Sequence, residues 1–435
     1  MTDDPRAVLA REPMGWLQIA AIGLCILLTA LDGFDILAIS FASPGIAREW
    51  GIDRAELGIV LSMELIGMGI GSVVIGTLAD RVGRRPTILG CLVLMTVGML
   101  LASTAADVLM LSAYRLATGL GIGGMLASVT AMAAEFSNDK SRNLCVTLMA
   151  AGYPVGAALG GTVVASVLAG GDWRSVFLFG AIATGIMIPL VLLFLPESVS
   201  FLIRSKSSAA LRRLNGTLKR MGHSAVASLS SPSPEMARTS LIQLFTPTLF
   251  MITILLALLY SAHILTFYFI LKWVPKIVVD MGFAASAAGG VLVWTNVGGA
   301  CGAILFSLLT QRFDVKPLLM GALILSFVMV SLFGQVDADL GRLSWIAGGG
   351  GFFANAAVVG IYALIAKSFP AEVRGGGTGF VIGVGRAGAA LSPILAGFMF
   401  AGGLTLPYVS ALMAAGSLLA AFVLYYLRSS ESRAA

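Results

Sequence analysis

Gly76-Thr77-Leu78-Ala79-Asp80-Arg81-Val82-Gly83-Arg84-Arg85-Pro86 follows the second long apolar run of the chain. Ser307-Leu308-Leu309-Thr310-Gln311-Arg312-Phe313-Asp314-Val315-Lys316-Pro317 follows the eighth, 231 residues later. Leu78/Leu309, Arg81/Arg312 and Pro86/Pro317 coincide, and Arg85/Lys316 keeps the charge. Arg142 and Arg374, after the fourth and tenth runs, recur at 232. A chain that repeats itself at half its length, with six apolar runs in each half, reads as a two-bundle membrane carrier with its site near midplane between the bundles.

The apolar runs carry the rest of the fold. The chain has 435 residues, 58% apolar and 11% charged, with a mean hydropathy of +0.94. Soluble domains carry about 25% charged residues, so a water-exposed globule is excluded. Twelve spans are predicted, at 16–41, 56–78, 87–105, 108–134, 143–169, 174–195, 248–273, 286–309, 316–334, 343–366, 377–400 and 404–427. Each is close to the ~20 residues that cross a bilayer core. The expected organisation is a bundle over 1–195, a linker over 196–247 with one surface helix near Ala209 to Met221, and a second bundle over 248–435. The first run carries acids and is too long for a cleaved signal.

Numbering the connections alternately puts twenty Lys and Arg on the side of the amino terminus. Six fall on the other side, Arg48, Arg54, Arg174, Lys272, Lys276 and Arg342. The positive-inside rule then places both termini and the linker in the cytoplasm of an inner-membrane protein. The net charge of +6 therefore reports topology, and no nucleic-acid partner is implied. Cys25, Cys91, Cys145 and Cys301 sit in spans at no metal or redox spacing and read as packing residues without a disulfide. There is no G-x-x-x-x-G-K-[ST] loop, and Gly348-Gly349-Gly350-Gly351 lies within a span. Neither enzyme chemistry nor a cofactor is expected.

Charge inside the spans is where chemistry is expected. Leu31-Asp32-Gly33-Phe34-Asp35 interrupts the first span, and at i and i+3 both carboxyl groups lie on one helix face. Acids at membrane depth cost a few kcal/mol (roughly 2.5–3.5) unless they face a polar cavity. A protonatable pair there suits a proton-coupled carrier. Counting 1.5 Å per residue from the span ends puts Asp32, Asp35, Glu64 and Arg115 within ~5 Å of one another in depth. A carboxylate–arginine network across spans one, two and four follows, as proton-coupling machinery or as a static packing network. Three acids against one arginine leave a surplus of proton sites and room for a second proton, hence electrogenic uptake.

Arg386 lies near the middle of span eleven with no acid in its own span. A guanidinium there can take a substrate carboxylate through two parallel hydrogen bonds, and Arg115 is a second candidate. Tyr260, Phe267, Tyr268, Phe269, Trp294 and Tyr362 could sandwich a ring. Asn296 and Asn355 could bind a ring hydroxyl or simply bond across helices. His263 could titrate or act as a satisfied polar contact, His223 is expected in solvent, and Glu135 in a cytoplasmic gate ion pair.

Gly76 to Arg85 fits G-x-L-x-D-R-x-G-R-R, a tight turn whose glycines allow close approach and whose Asp80 can cap a helix end. With Arg115-x-x-x-Gly119-x-Gly121-x-Gly123 and Leu195-Pro196-Glu197-Ser198, this resembles the major facilitator superfamily. Asp32-Gly33-Phe34-Asp35, Gly67-Met68, Asp172-Trp173-Arg174, Trp273-Val274-Pro275 and Gly383-Val384-Gly385-Arg386-Ala387-Gly388 extend the resemblance to its aromatic acid:proton symporter family. The resemblance implies an all-α fold of twelve transmembrane helices in two pseudo-symmetric bundles, acting as a monomer on a small aromatic carboxylate and protons. It implies function for Asp32, Asp35 and Arg386, and gating roles for Gly76, Asp80, Arg81, Gly83, Arg84, Arg85, Glu135 and Arg142. Glu64 departs from the small neutral residue expected at its position and leaves the particular acid open. Gly152-Tyr153-Pro154-Val155-Gly156 is not the G-x-x-x-G-P of drug antiporters. The alternatives are carriage of another organic anion, drug export by proton antiport, or a non-transporting receptor of the same fold.

Overall fold

The computed structural model describes residues 4–170, 172–205, 208–226, 244–370 and 373–434. The side chain of Asp80 and the Ser230–Pro234 run fall outside the described residues, so the capping expected of Asp80 does too. Fifteen helices and no strand form among the described residues. A short α1 (Pro5–Arg11) precedes six long helices, α2 (Trp16–Trp50), α3 (Arg54–Val82), α4 (Arg84–Ala102), α5 (Val108–Phe136), α6 (Arg142–Leu168) and α7 (Arg174–Phe194). Two connecting helices follow, α8 (Val199–Ser205) and α9 (Ser208–Met221). The second six are α10 (Pro247–Asp280), α11 (Ala285–Leu309), α12 (Val315–Phe333), α13 (Leu340–Ser368), α14 (Arg374–Ala401) and α15 (Leu406–Ala434).

Twelve of these helices are long and apolar enough to cross a membrane. Their outward faces carry Val73, Leu159, Ile186, Phe398 and Phe422, all more than half exposed, as a lipid-facing surface requires. Two spans run past their expected ends through a proline. α2 continues through Pro44 to Trp50, and α10 through Pro275 to Asp280. A proline removes one helical hydrogen bond, but neighbouring helices hold the chain straight enough to continue. Lys272, expected at the outer rim, is therefore buried inside α10.

The repeat becomes geometric. α2 and α10 begin 231 residues apart, at Trp16 and Pro247, and their internal prolines, Pro44 and Pro275, keep that offset. The packing follows the same register. A Cβ on Gly67 or Gly71 of α3 would stand 2.2 Å from Leu116 O or 2.1 Å from Leu120 O of α5. On Gly298 or Gly302 of α11, each 231 residues later, it would stand 2.0 Å from Gly348 O or Phe352 O of α13. Only hydrogen fits at these four positions, so backbone packs on backbone in both halves.

The halves meet along α3 with α14, α6 with α11, and α2 with α10. On the face opposite α1 they touch closely, with Gly58 of α3 against Pro393 O and Gly397 of α14. Toward the α1 face Gly379 and Gly383 of α14 have open space where a side chain would stand. There α9 lies with Ala210, Leu214, Leu218 and Met221 buried and its basic residues outward. His223, expected in solvent, is buried, with Nδ1 2.5 Å from Glu12 Oε2 and Nε2 2.8 Å from Gln18 Oε1. The turn at Gly222 (φ 88°) folds it back over the start of α2.

Candidate functional site

The buried charges are assembled by the glycine contacts between α3 and α5. Gly119 rests on Glu64 O, where a Cβ would be 2.1 Å away, so Arg115 one turn earlier lies beside Glu64. Arg115 and Glu64 are both fully buried and form an ion pair through Nη2 and Oε1. Nη2 also donates to Asp35 O at 2.8 Å, Nη1 lies 3.0 Å from the Met99 sulfur, and the guanidinium stacks 5.3 Å above the Phe177 ring. Arg115 is thereby held inside the first half. That leaves little of it for the substrate carboxylate the sequence reading offered it.

Asp32 and Asp35 share a helix but not an environment. Gly33 between them packs on the Tyr153 carbonyl of α6, with room for no more than hydrogen. Asp35 points toward α7, where Thr184 Oγ1 donates to its Oδ2 at 3.4 Å and Gly180 leaves space beside Oδ1. Asp32 lies in the electrostatic neighbourhood of Asp35, Arg386 and Glu64. Oδ1 of each aspartate is buried without a hydrogen-bond partner among the described residues. A buried oxygen in that position is costly for a carboxylate and tolerable for a protonated acid.

From the second half comes a cation the sequence reading assigned to the rim. Lys272 of α10 is fully buried; its Nζ donates to Ile36 O of α2 and lies 3.4 Å from Glu64 Oε2. Only the length of α10 reveals it, because a span ended before Pro275 leaves Lys272 at its edge.

Arg386 of α14 is partly exposed and donates through Nη1 to Met68 O of α3 across the halves, at 3.4 Å. Gly385 beside it would put a Cβ 1.9 Å from the Tyr260 ring, so the glycine lets that ring lie against α14. Tyr260 and Tyr362 share a hydrogen bond between their hydroxyls at 3.0 Å. Asp32, Tyr260 and Tyr268 all lie within electrostatic reach of Arg386, and Tyr153 neighbours Tyr268. Tyr153, quoted from the sequence only as part of a Gly-Pro pattern, thus joins the group.

Other candidates fall elsewhere. Trp294 is 56% exposed on the outer face of α11, with Val297, Cys301 and Leu308, and does not join the cluster. Phe267 and Phe269 are buried core residues. Asn296 donates to Leu292 O at 2.8 Å and Asn355 to Gly351 O at 3.2 Å, each within its own helix. His263 lies between Ser417 Oγ and Ala354 O, each 2.9 Å away, as a satisfied contact among α10, α13 and α15.

The motif turn lies apart, on the α1 face. Gly83 has φ 112°, a conformation that only glycine adopts readily. Glu197 Oε1 accepts from the backbone N–H of Arg84 (3.0 Å), Arg85 (3.2 Å) and Ser198 (2.8 Å). Glu135 pairs with Arg84 at 2.9 Å and also accepts from Ser198 Oγ and Ser200 N. Arg142 is engaged by Asp139 at 3.2 Å and the Ala134 carbonyl. Arg85 donates to Leu192 O at 2.6 Å, Arg81 is exposed, and Gly76 faces Ala127. Glu197 was quoted in the sequence without a role; its place at the hub of the turn appears only in three dimensions.

The model of the Major Facilitator Superfamily matches residues 25–332 and 256–435 of the chain. The 3-(3-hydroxy-phenyl)propionate transporter of Escherichia coli (strain K12) is 32% identical, over 95% of this chain and 94% of its own. The 4-hydroxybenzoate transporter of Pseudomonas putida is 31% identical over 89% and 87%. Among solved structures, a D-xylose-proton symporter superposes with a TM-score of 0.70 at 18% identity, covering 93% of this chain and 97% of that one.

Proposed function

We propose a function from one premise: the chain belongs to the major facilitator superfamily. Its relatives are transporters, not enzymes, and the reading is that this chain takes up a small aromatic carboxylate with protons across an inner membrane. The observation that carries it is the group gathered between the halves. Arg386, Tyr260, Tyr268 and Tyr362 come from the second half, and Asp32 and Tyr153 from the first. A guanidinium provides two parallel donors for a carboxylate, and tyrosine rings stack on an aromatic ring while their hydroxyls bond its substituents. Arg115, which the sequence offered as a second ligand, serves instead to hold Glu64 and the Asp35 backbone.

In this reading the basic α1 face is cytoplasmic, and residues 196–247 form a cytoplasmic linker between a bundle over 1–195 and one over 248–435. The Asp32/Asp35 pair takes up the proton when the cleft faces outward, the anion docks on Arg386, and the neutralised site lets the bundles rock. Gly83, Arg84, Glu135 and Glu197 hold the cytoplasmic turn through that motion. The chain works as a monomer.

Uptake of radiolabelled 4-hydroxybenzoate and 3-(3-hydroxyphenyl)propionate by cells expressing the chain, with and without an uncoupler, tests the reading. Accumulation that the uncoupler abolishes is expected. Extrusion instead of accumulation would make the chain an exporter, and neither would reject transport of this class.

A further inference from the structure

Lys272 is held wholly by the half it does not belong to. It rises from α10 of the second half, and both of its oxygen partners, Ile36 O and Glu64 Oε2, belong to the first. An ammonium group removed from water is strongly penalised once its partners leave. Until water enters the seam, the first step of parting the halves leaves that ammonium unpaired in a low-dielectric setting. Glu64 responds differently to the same movement. Its Oε1 stays with Arg115, which sits on α5 and travels with it, while its Oε2 gives up Lys272.

Two turns further along α10, a second contact joins the halves at the rim. Arg54 at the start of α3 meets Asp280 at 2.9 Å and stacks 4.9 Å above the Phe400 ring. That pair is partly exposed, shared with Lys276, and set in high dielectric. The deep pair is fully buried on both sides. The two differ in burial although they lie on the same seam.

We propose that Lys272 is a positioning residue of the transport cycle. It pins the second half to the Glu64–Arg115 pair of the first and so keeps the face opposite α1 closed, with Glu64 as the group on which that closure depends. The inference rests on the alternating-access reading above, and extends it to two residues that need not touch substrate. It also accounts for an acid in α3 where a small neutral residue was expected.

The test measures the seam itself. In the full-length chain in lipid nanodiscs, with the native cysteines replaced, Ala169→Cys at the end of α6 and Ala284→Cys before α11 place spin labels on opposite halves of that face. Pulsed electron paramagnetic resonance then reads their separation without substrate or gradient. Lys272→Gln is expected to raise the ratio of long-distance to short-distance populations by about tenfold or more. Glu64→Gln should act in the same direction, and the double variant should move the ratio no further than the larger single effect, as for two partners of one contact. Arg54→Gln should move it little. Should Lys272→Gln not fold, Glu64→Gln, which leaves Lys272 on Ile36 O, carries the test alone. Unchanged distances in a folded Lys272→Gln or Glu64→Gln variant, or fully additive effects of the two, would overturn the proposal. Because the distances need no transport, a chain that fails the uptake assay still gives an answer here.

Discussion

At the scale of single residues, the two aspartates of α2 were visible in the sequence because a carboxyl group in a long apolar run is costly and is kept only where it has a use. Their separate surroundings were not, since those depend on Thr184, Gly180 and Arg386 brought in from distant helices. Asp32→Asn and Asp35→Asn keep the shape and remove the proton site. Each is expected to abolish proton-driven accumulation while the protein still reaches the membrane, and full accumulation in both at normal expression would refute the assignment. Arg386→Lys keeps the charge and loses the planar fork, so binding of the acid should weaken by ~1.5–3 kcal/mol. Competition by the amide or ester of the best substrate checks this. If either competes as well as the acid, Arg386 does not hold the carboxylate. Lys272 marks the limit of reading residues singly, because its role follows from how far its helix runs.

At the scale of elements, proline and glycine gave opposite lessons. The expected spans stop at 41 and 273, short of Pro44 and Pro275, yet α2 and α10 pass through both prolines, because a helix packed on several neighbours tolerates one missing hydrogen bond. Gly67, Gly119 and Gly123, quoted from the sequence only for the resemblance, form the α3–α5 seam that brings Arg115 against Glu64. Gly83 is the sharpest case. It combines a φ of 112° with a position where a Cβ would stand 2.6 Å from Glu197 Oε2. Gly83→Ala must both strain the turn and displace the carboxylate that caps Arg84 and Arg85, at a cost of at least about 1 kcal/mol. A lower melting temperature in detergent, accompanied by a matching loss in Glu197→Gln, is the expected result. An unchanged melting temperature for Gly83→Ala would show that the turn bears no strain.

At the scale of the whole molecule, the repeat was legible from two short segments, and the structure carries it into helix starts, prolines and glycine seams. The symmetry stops at the charges buried within the spans. At the 231-residue offset, Asp32 corresponds to His263, Asp35 to Thr266 and Glu64 to Thr295, so the second half holds neutral or singly titratable groups where the first holds acids. The compensating cations come from elsewhere in the second half, Lys272 and Arg386, and this changes the charge balance on which proton number depends. Asp32, Asp35 and Glu64 face Arg115, Lys272 and Arg386, three acids with three bases, where the sequence had suggested three acids around one arginine. An arriving carboxylate makes that set one charge too negative, and a single proton restores it. Symport of one monoanion with one proton moves no net charge, in place of the electrogenic uptake expected from the sequence. Only the pH gradient should then drive accumulation, at ~1.36 kcal/mol or about tenfold per pH unit. Proteoliposomes with a fixed pH gradient, acidic outside, and a potassium diffusion potential set by valinomycin provide the measurement. Initial uptake of the acid should follow the pH gradient and ignore the potential. Faster uptake at inside-negative potential would require a second proton, worth a further ~2.3 kcal/mol per 100 mV, and would return Lys272 or Arg386 to a role outside the charge balance of the empty site.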